Sequence, residues 1–142
     1  MHLALLALGV GAGDEVITVA NTDISTCSAI GQTGARIVFV DIDEATFNID
    51  VAQAIAAITP RTKAIIPVHL FGLAADMGPL MDAASRARIP IVEDAAQAIG
   101  ATYNSRPLVP EILVKGDRFA IVRPRQSYED LVGADRLAGW QS

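Results

Sequence analysis

The chain has 142 residues, 51% of them hydrophobic and 19% charged, with mean hydropathy +0.38, enough for one ordinary domain with its own core and far from the composition of disorder. A net charge of -5 and an isoelectric point near 4.8 argue against a nucleic-acid partner, because a phosphate-binding groove needs clustered Lys and Arg. Cys27, alone, makes neither an internal disulfide nor a metal cluster, and no stretch approaches the ~18 apolar residues of a membrane span, so the expected compartment is the cytoplasm.

The opening "MHLALLALGVGAGDE" has no basic leader, and Gly9, Gly11 and Gly13 break its apolar run. It predicts a helix that ends at glycine rather than a signal peptide. Apolar, β-branched runs then follow at "EVITVA" (15–20), "RIVFVDI" (36–42), "KAIIPVHLF" (63–71) and "IPIVED" (89–94). Between them lie the helical segments "DISTCSAIGQTG", "DVAQAIAAI" and "DMGPLMDAASRAR". Strands alternating with helices predict βαβ units and an α/β fold, a mainly parallel sheet covered on both faces. Asp50 and Asp76 stand where helix N-caps belong, Thr59-Pro60 closes the middle helix, and Arg86 and Arg88 sit where the helix dipole favours cations. After Pro107 the pattern changes, since "EILV" and "RFAIV" have no clear crossover helices. The expected division is a domain over 2–107 and a divergent tail over 108–142.

Ligands of open α/β sheets bind at the carboxyl ends of the strands, where loops and helix N-termini converge. The residues there are Asp41 and Asp43, His69, and the pair Glu93-Asp94. Asp41 and Asp43 read as solvated or capping groups of a loop. His69 reads either as a hydrogen-bonded structural histidine or as a functional one, and with His2 as its only fellow it supports no metal site. Strand alternation sends Glu93 and Asp94 to opposite faces, so they form no acid/base dyad on one atom. Asp94 then either caps a helix over "AAQAIG" or faces a ligand.

The segments "LALLALGVGAGDEVI", "FVDIDEATFNID", "ITPRTKAIIPVHLFGLAADM" and "IPIVEDAAQAIGATY" resemble, in order, the motifs of the DegT/StrS-type sugar aminotransferases. The resemblance runs from about residue 2 to about residue 107. It implies part of the large domain of a fold-type I enzyme dependent on pyridoxal phosphate (PLP), mainly parallel sheet with flanking helices. It also implies transfer of an amino group from an amino acid such as glutamate to a keto sugar nucleotide, and commonly a homodimer. By the same resemblance Asp94 pairs with the protonated pyridine nitrogen of PLP and Gln97 approaches the ring hydroxyl. A carboxylate there keeps the nitrogen protonated, so that the ring can accept electrons. Glu93 is then structural.

The chain departs from the pattern in several places. The family's cofactor-anchoring lysine lies in a downstream motif that this chain lacks. Its lysines are Lys63, at a non-catalytic family position, and Lys115, in the unmatched tail. The family's phosphate-binding segment precedes the point where this sequence starts, and Asp23 stands where the family commonly has an aromatic stacked on the ring. The expectation is a piece of such an enzyme, not competent alone. The alternatives are a non-catalytic binding or subunit-interaction module, or an inactive fold remnant. A frameshift is one route to such a chain, since permissible codons for "QSYEDLVG" (126–133) read "AKLRGFGG" in another frame.

Overall fold

The computed structural model describes residues 1–108. The expected tail beyond Leu108, Lys115 and the alternative frame through 126–133 lie outside the described residues. The elements in chain order are α1 (His2–Ala7), β1 (Glu15–Val19), α2 (Ile24–Gly31), β2 (Arg36–Val40), α3 (Val51–Ala56), β3 (Thr62–Ile66), α4 (Met77–Ala87) and a short hairpin, β4 (Thr102–Tyr103) and β5 (Arg106–Pro107). β1, β2 and β3 form a parallel sheet in the order β2-β1-β3. The chain leaves β1 through α2 to reach β2 on one side, then returns through α3 to place β3 on the other side of β1. The order of progression therefore reverses at β1, which is the topology that opens a crevice at the carboxyl ends of the strands.

The period-2 alternation of strand side chains divides the core in two. Val16, Ala64 and Ile66 face Ala4 and Leu5 of α1 and Ile30 of α2. Ile17, Val19 and Ile65 face Ala54 of α3 and Met77, Leu80 and Ala84 of α4. Burying a side chain such as Leu5 or Ile65, both fully inaccessible, stabilises the fold by about 1.5–3 kcal/mol. The first helix ends as the glycine signal predicts. Gly9 takes φ +70°, its amide bonds Leu6 O, and the Val10 amide bonds Leu5 O, which satisfies two terminal carbonyls.

The fourth apolar run corrects the expected strand pattern. Residues 89–94 form no regular strand and "KAIIPVHLF" is not one continuous strand, because β3 ends at Ile66. The two segments meet through isolated parallel bridges, Ile65 with Ile91 and Val68 with Asp94. Both bridges keep one register. The ladder bond that would join them is a donation from residue 67 to Val92 O, and Pro67 has no N–H to give. On either side of the gap the bonds are made: Val92 N to Ile65 O at 2.9 Å, Asp94 N to Pro67 O at 2.9 Å, and His69 N to Asp94 O at 2.9 Å. The run thus still lies beside β3 and carries Asp94 to the carboxyl edge of the sheet.

The amino edge is held by charge. Glu15 is 1% exposed, and its carboxylate takes Thr59 Oγ1 at 2.6 Å, Arg36 at 2.8 Å and Arg61 at 2.6 Å. The Thr59 hydroxyl, then the two guanidinium groups, pull the Glu15 pKa down to about 2. One carboxylate thereby ties β1 to the starts of β2 and β3.

Candidate functional site

The carboxyl edge is assembled from three loops. After β1 the chain turns into α2, whose N-cap is Asp23. Its carboxylate accepts Ser25 N at 2.8 Å, and hydrogen bonding from Ser25 holds its pKa below the usual carboxylate range. Asp23 is exposed and acts as a cap, at the position where the resemblance led to a ring-stacking group. Thr26, one turn into α2, is 1% exposed and its hydroxyl donates to Asp94 Oδ2 at 2.8 Å.

Asp94 is half-buried. Its backbone is fixed on both sides by Pro67 and His69, while Oδ1 meets only the Ala96 amide, at 3.3 Å. No helix follows it. Residues 95–100 form turns, so the helix-capping alternative for Asp94 does not hold. With one oxygen engaged by Thr26 and the other only by the Ala96 amide, the carboxylate keeps lone-pair capacity for a further donor.

Gln97 is exposed. Its carbonyl oxygen Oε1 stands 3.5 Å from Phe71 N, and its backbone oxygen accepts Gly72 N at 3.0 Å. The 70–76 loop is thereby tied to the segment after Asp94. The same loop is held from below by Asn48, which accepts Leu70 N at 2.9 Å and donates to Leu73 O at 3.1 Å. Phe71 takes φ +55°, an uncommon conformation for a bulky residue, and its ring is 75% exposed.

His69 and Glu93 lie beneath this edge, 0% and 4% exposed, with Nε2 and Oε2 3.2 Å apart. Nδ1 of His69 accepts the Ala75 amide at 3.1 Å. Both ring nitrogens of His69 have partners within the protein, which favours the structural reading of this histidine. Asp41 and Asp43 bond their own loop, to Ile42 N and to Ala45 N and Thr46 N. Lys63 is exposed on β3, before the Ile66 at which that strand ends, and is not brought to Asp94.

Thr26 and Asn48 went unrecognised in the sequence. A threonine in a helix and an asparagine in a loop carry no local signal of a partner that lies 68 or 22 residues away. Among the described residues no group of His, Cys, Asp and Glu could hold a metal, and no helix is long and apolar enough to cross a membrane. A cleft of about 320 Å³ lies at the opposite, amino edge beside Glu15, Arg36 and Arg61, where the guanidinium groups are already spent on the buried carboxylate.

The "Pleiotropic regulatory protein" of Geobacillus stearothermophilus is 58% identical over 106 residues, which are 75% of this chain and 28% of that protein. The "GDP-perosamine synthase" of Caulobacter vibrioides is 50% identical over 106 residues, 75% of this chain and 29% of that enzyme. Among solved structures, NtdA from Bacillus subtilis with bound cofactor PMP superposes with TM-score 0.69 at 44% identity, covering 71% of this chain and 23% of that one. The chain thus spans less than a third of the length of the relatives it matches. The sequence profile of the DegT/DnrJ/EryC1/StrS aminotransferase family matches residues 1–109, and with the parallel sheet and the Asp94 edge in place, the chain belongs to that family.

Proposed function

We propose that this chain supplies the pyridine-nitrogen side of the cofactor pocket of a PLP-dependent aminotransferase, one that moves an amino group from an amino acid such as glutamate to a keto sugar nucleotide. Family membership, a sugar-directed relative and a structural neighbour carrying PMP, the aminated form of PLP, support the reading. The observation that carries it is the Asp94 carboxylate, with Oδ2 held by Thr26 and Oδ1 lightly engaged. That donor set fits a protonated ring nitrogen, which needs one anionic acceptor of fixed direction.

PLP, when bound, supplies an electron sink for the carbanion formed at the amino-acid Cα. Asp94 would accept the ring N–H and keep that proton in place, and Gln97 would present its exposed amide to the ring hydroxyl. Asp23 does not fit the stacking role, and Lys63 does not fit the anchoring role. Among the described residues no lysine is placed to anchor the cofactor, so this part of the chain binds without catalysing by itself, which is also what the alternative of a binding or subunit-interaction module requires. Residues 2–107 then form part of the large domain and 108–142 a divergent tail. Phe71 and Ile99, 75% and 88% exposed, put an apolar rim beside Gln97 that suits contact with a second copy of the chain. The unpaired thiol of Cys27 suits the cytoplasm.

Incubation of the purified chain with PLP, borohydride reduction and mass spectrometry test the reading, together with a glutamate half-reaction. The expected result is saturable, reversible binding without a stoichiometric lysine adduct and without conversion to PMP. A single modified lysine with glutamate-dependent conversion would assign catalysis to this chain alone, and absence of any saturable binding would remove the pocket.

A further inference from the structure

The backbone bonds that bracket Asp94, its amide to Pro67 O and its carbonyl from His69 N, place the residue but not the plane of its carboxylate. The terminal torsion of an aspartate is broad and roughly two-fold, so backbone placement alone leaves the acceptor direction loose. Thr26 removes that freedom. Its hydroxyl donates to Oδ2 at 2.8 Å across a sequence separation of 68 residues. A hydroxyl has one proton. Because the Thr26 proton goes to Asp94, the 3.0 Å contact between Thr22 Oγ1 and Thr26 Oγ1 runs from Thr22 as donor to Thr26 as acceptor.

Thr22 and Thr26 thus form a one-directional relay that ends on a carboxylate, and each hydrogen bond polarises the next. Thr26 is buried, which shields its side of the contact from water. Threonine in a helix commonly bonds back to the carbonyl one turn earlier. This one instead reaches past β3 to the run that follows α4, and so ties the start of α2, which follows β1, to the end of the 89–94 run beside β3.

We propose that Thr26, backed by Thr22, is a positioning residue that fixes the plane of the Asp94 carboxylate for the pyridine N–H of the cofactor. The proposal rests on Asp94 being the ring-nitrogen partner. Fixing the acceptor before the ligand arrives removes an ordering cost from binding, so the effect appears in cofactor affinity and depends on Asp94.

The test is the affinity of the full chain for PMP, followed by fluorescence, with unfolding curves recorded for every variant. Thr26→Val is expected to weaken binding roughly tenfold, about 1.4 kcal/mol, while Thr26→Ser, which restores the hydroxyl, stays within about twofold of the unsubstituted chain. Asp94→Ala weakens binding at least as much as Thr26→Val, and in the Asp94→Ala background Thr26→Val adds nothing further. If Thr26→Val does not fold, Thr26→Ala carries the same expectation. Loss of affinity with Asp94→Ala but none with Thr26→Val overturns the positioning role and leaves the Asp94 assignment standing. Equal losses from Thr26→Val with and without Asp94 also overturn it, because Thr26 would then act through packing. No PMP binding, or an Asp94→Ala variant that binds as the unsubstituted chain does, overturns both.

Discussion

The imidazole of His69 takes the Ala75 amide on Nδ1, which requires a lone pair there and leaves Nε2 as the protonated nitrogen. That N–H donates to Glu93 Oε2 at 3.2 Å, so a neutral histidine and a carboxylate satisfy each other in a place water does not reach. Glu93→Ala would orphan the Nε2–H and open a void. The expected loss is about 2–3 kcal/mol of unfolding free energy in urea denaturation. Glu93→Gln keeps an acceptor and costs clearly less, and a neutral effect of Glu93→Ala would contradict the assignment. In the sequence, His69 stood open between structure and function because its partners lie 24 and 6 residues away. The carboxylates of Glu93 and Asp94 were assigned to opposite faces by strand alternation alone, and each found a partner on its own side. Thr26 and Tyr103 were invisible because hydroxyl partners are set by tertiary approach rather than by local pattern.

At the scale of elements, the helix ends show what each terminus costs. The α4 terminus is closed by Arg88 N to Ser85 O and Ile89 N to Ala84 O, the pattern that glycine serves in α1, but Arg88 must adopt φ +57° to do it. Arg88→Gly relieves that conformation and is expected to raise stability by about 1 kcal/mol, read as a higher urea midpoint with unchanged slope. The other end of α4 has no direct side-chain cap from Asp76. Tyr103 supplies one from β4 instead: its hydroxyl accepts Gly78 N at 3.0 Å and donates to Asp76 Oδ1 at 2.7 Å. The Asp76 hydrogen bond raises the Tyr103 pKa above its ordinary value. Tyr103→Phe is expected to cost about 1 kcal/mol, with amide exchange accelerated in the first turn of α4. The helices and the first strands were legible because apolar runs and N-caps are local signals. The fourth run was misread as a strand because apolar pattern does not register the missing donor at Pro67, although the proline itself was in view.

For the molecule as a whole, the two edges of the sheet do different work. At the amino edge Glu15 gathers β1, β2 and β3 through Thr59, Arg36 and Arg61. Folded, it holds off its proton until about pH 2, against an ordinary value of 4.5. Its ionisation therefore favours the fold fully above about pH 4.5, and that contribution is lost as pH falls from 4.5 through about 2. Stability measured across that window should fall with acid, and Glu15→Gln should flatten the slope. Because the two arginines are 64% and 66% exposed, added salt should weaken the effect. At the carboxyl edge, Thr26 of α2 and the backbone of Pro67 and His69 meet at Asp94, and the 70–76 loop is tied to Gln97 beyond it. The fold class was readable from the alternation of strands and helices. The cofactor role proposed for Asp94 comes only from ordered motif resemblance, since local pattern left the residue between a cap and a ligand group.

The most direct measurement of the Asp94 assignment compares two ligands that differ at one atom: PMP and its analogue with carbon in place of the ring nitrogen. The chain should bind PMP roughly tenfold more tightly than the analogue, and Asp94→Ala should erase the difference. Equal affinity of the unsubstituted chain for both ligands would show that Asp94 does not meet the ring nitrogen, and would contradict the pocket assigned to this edge of the sheet.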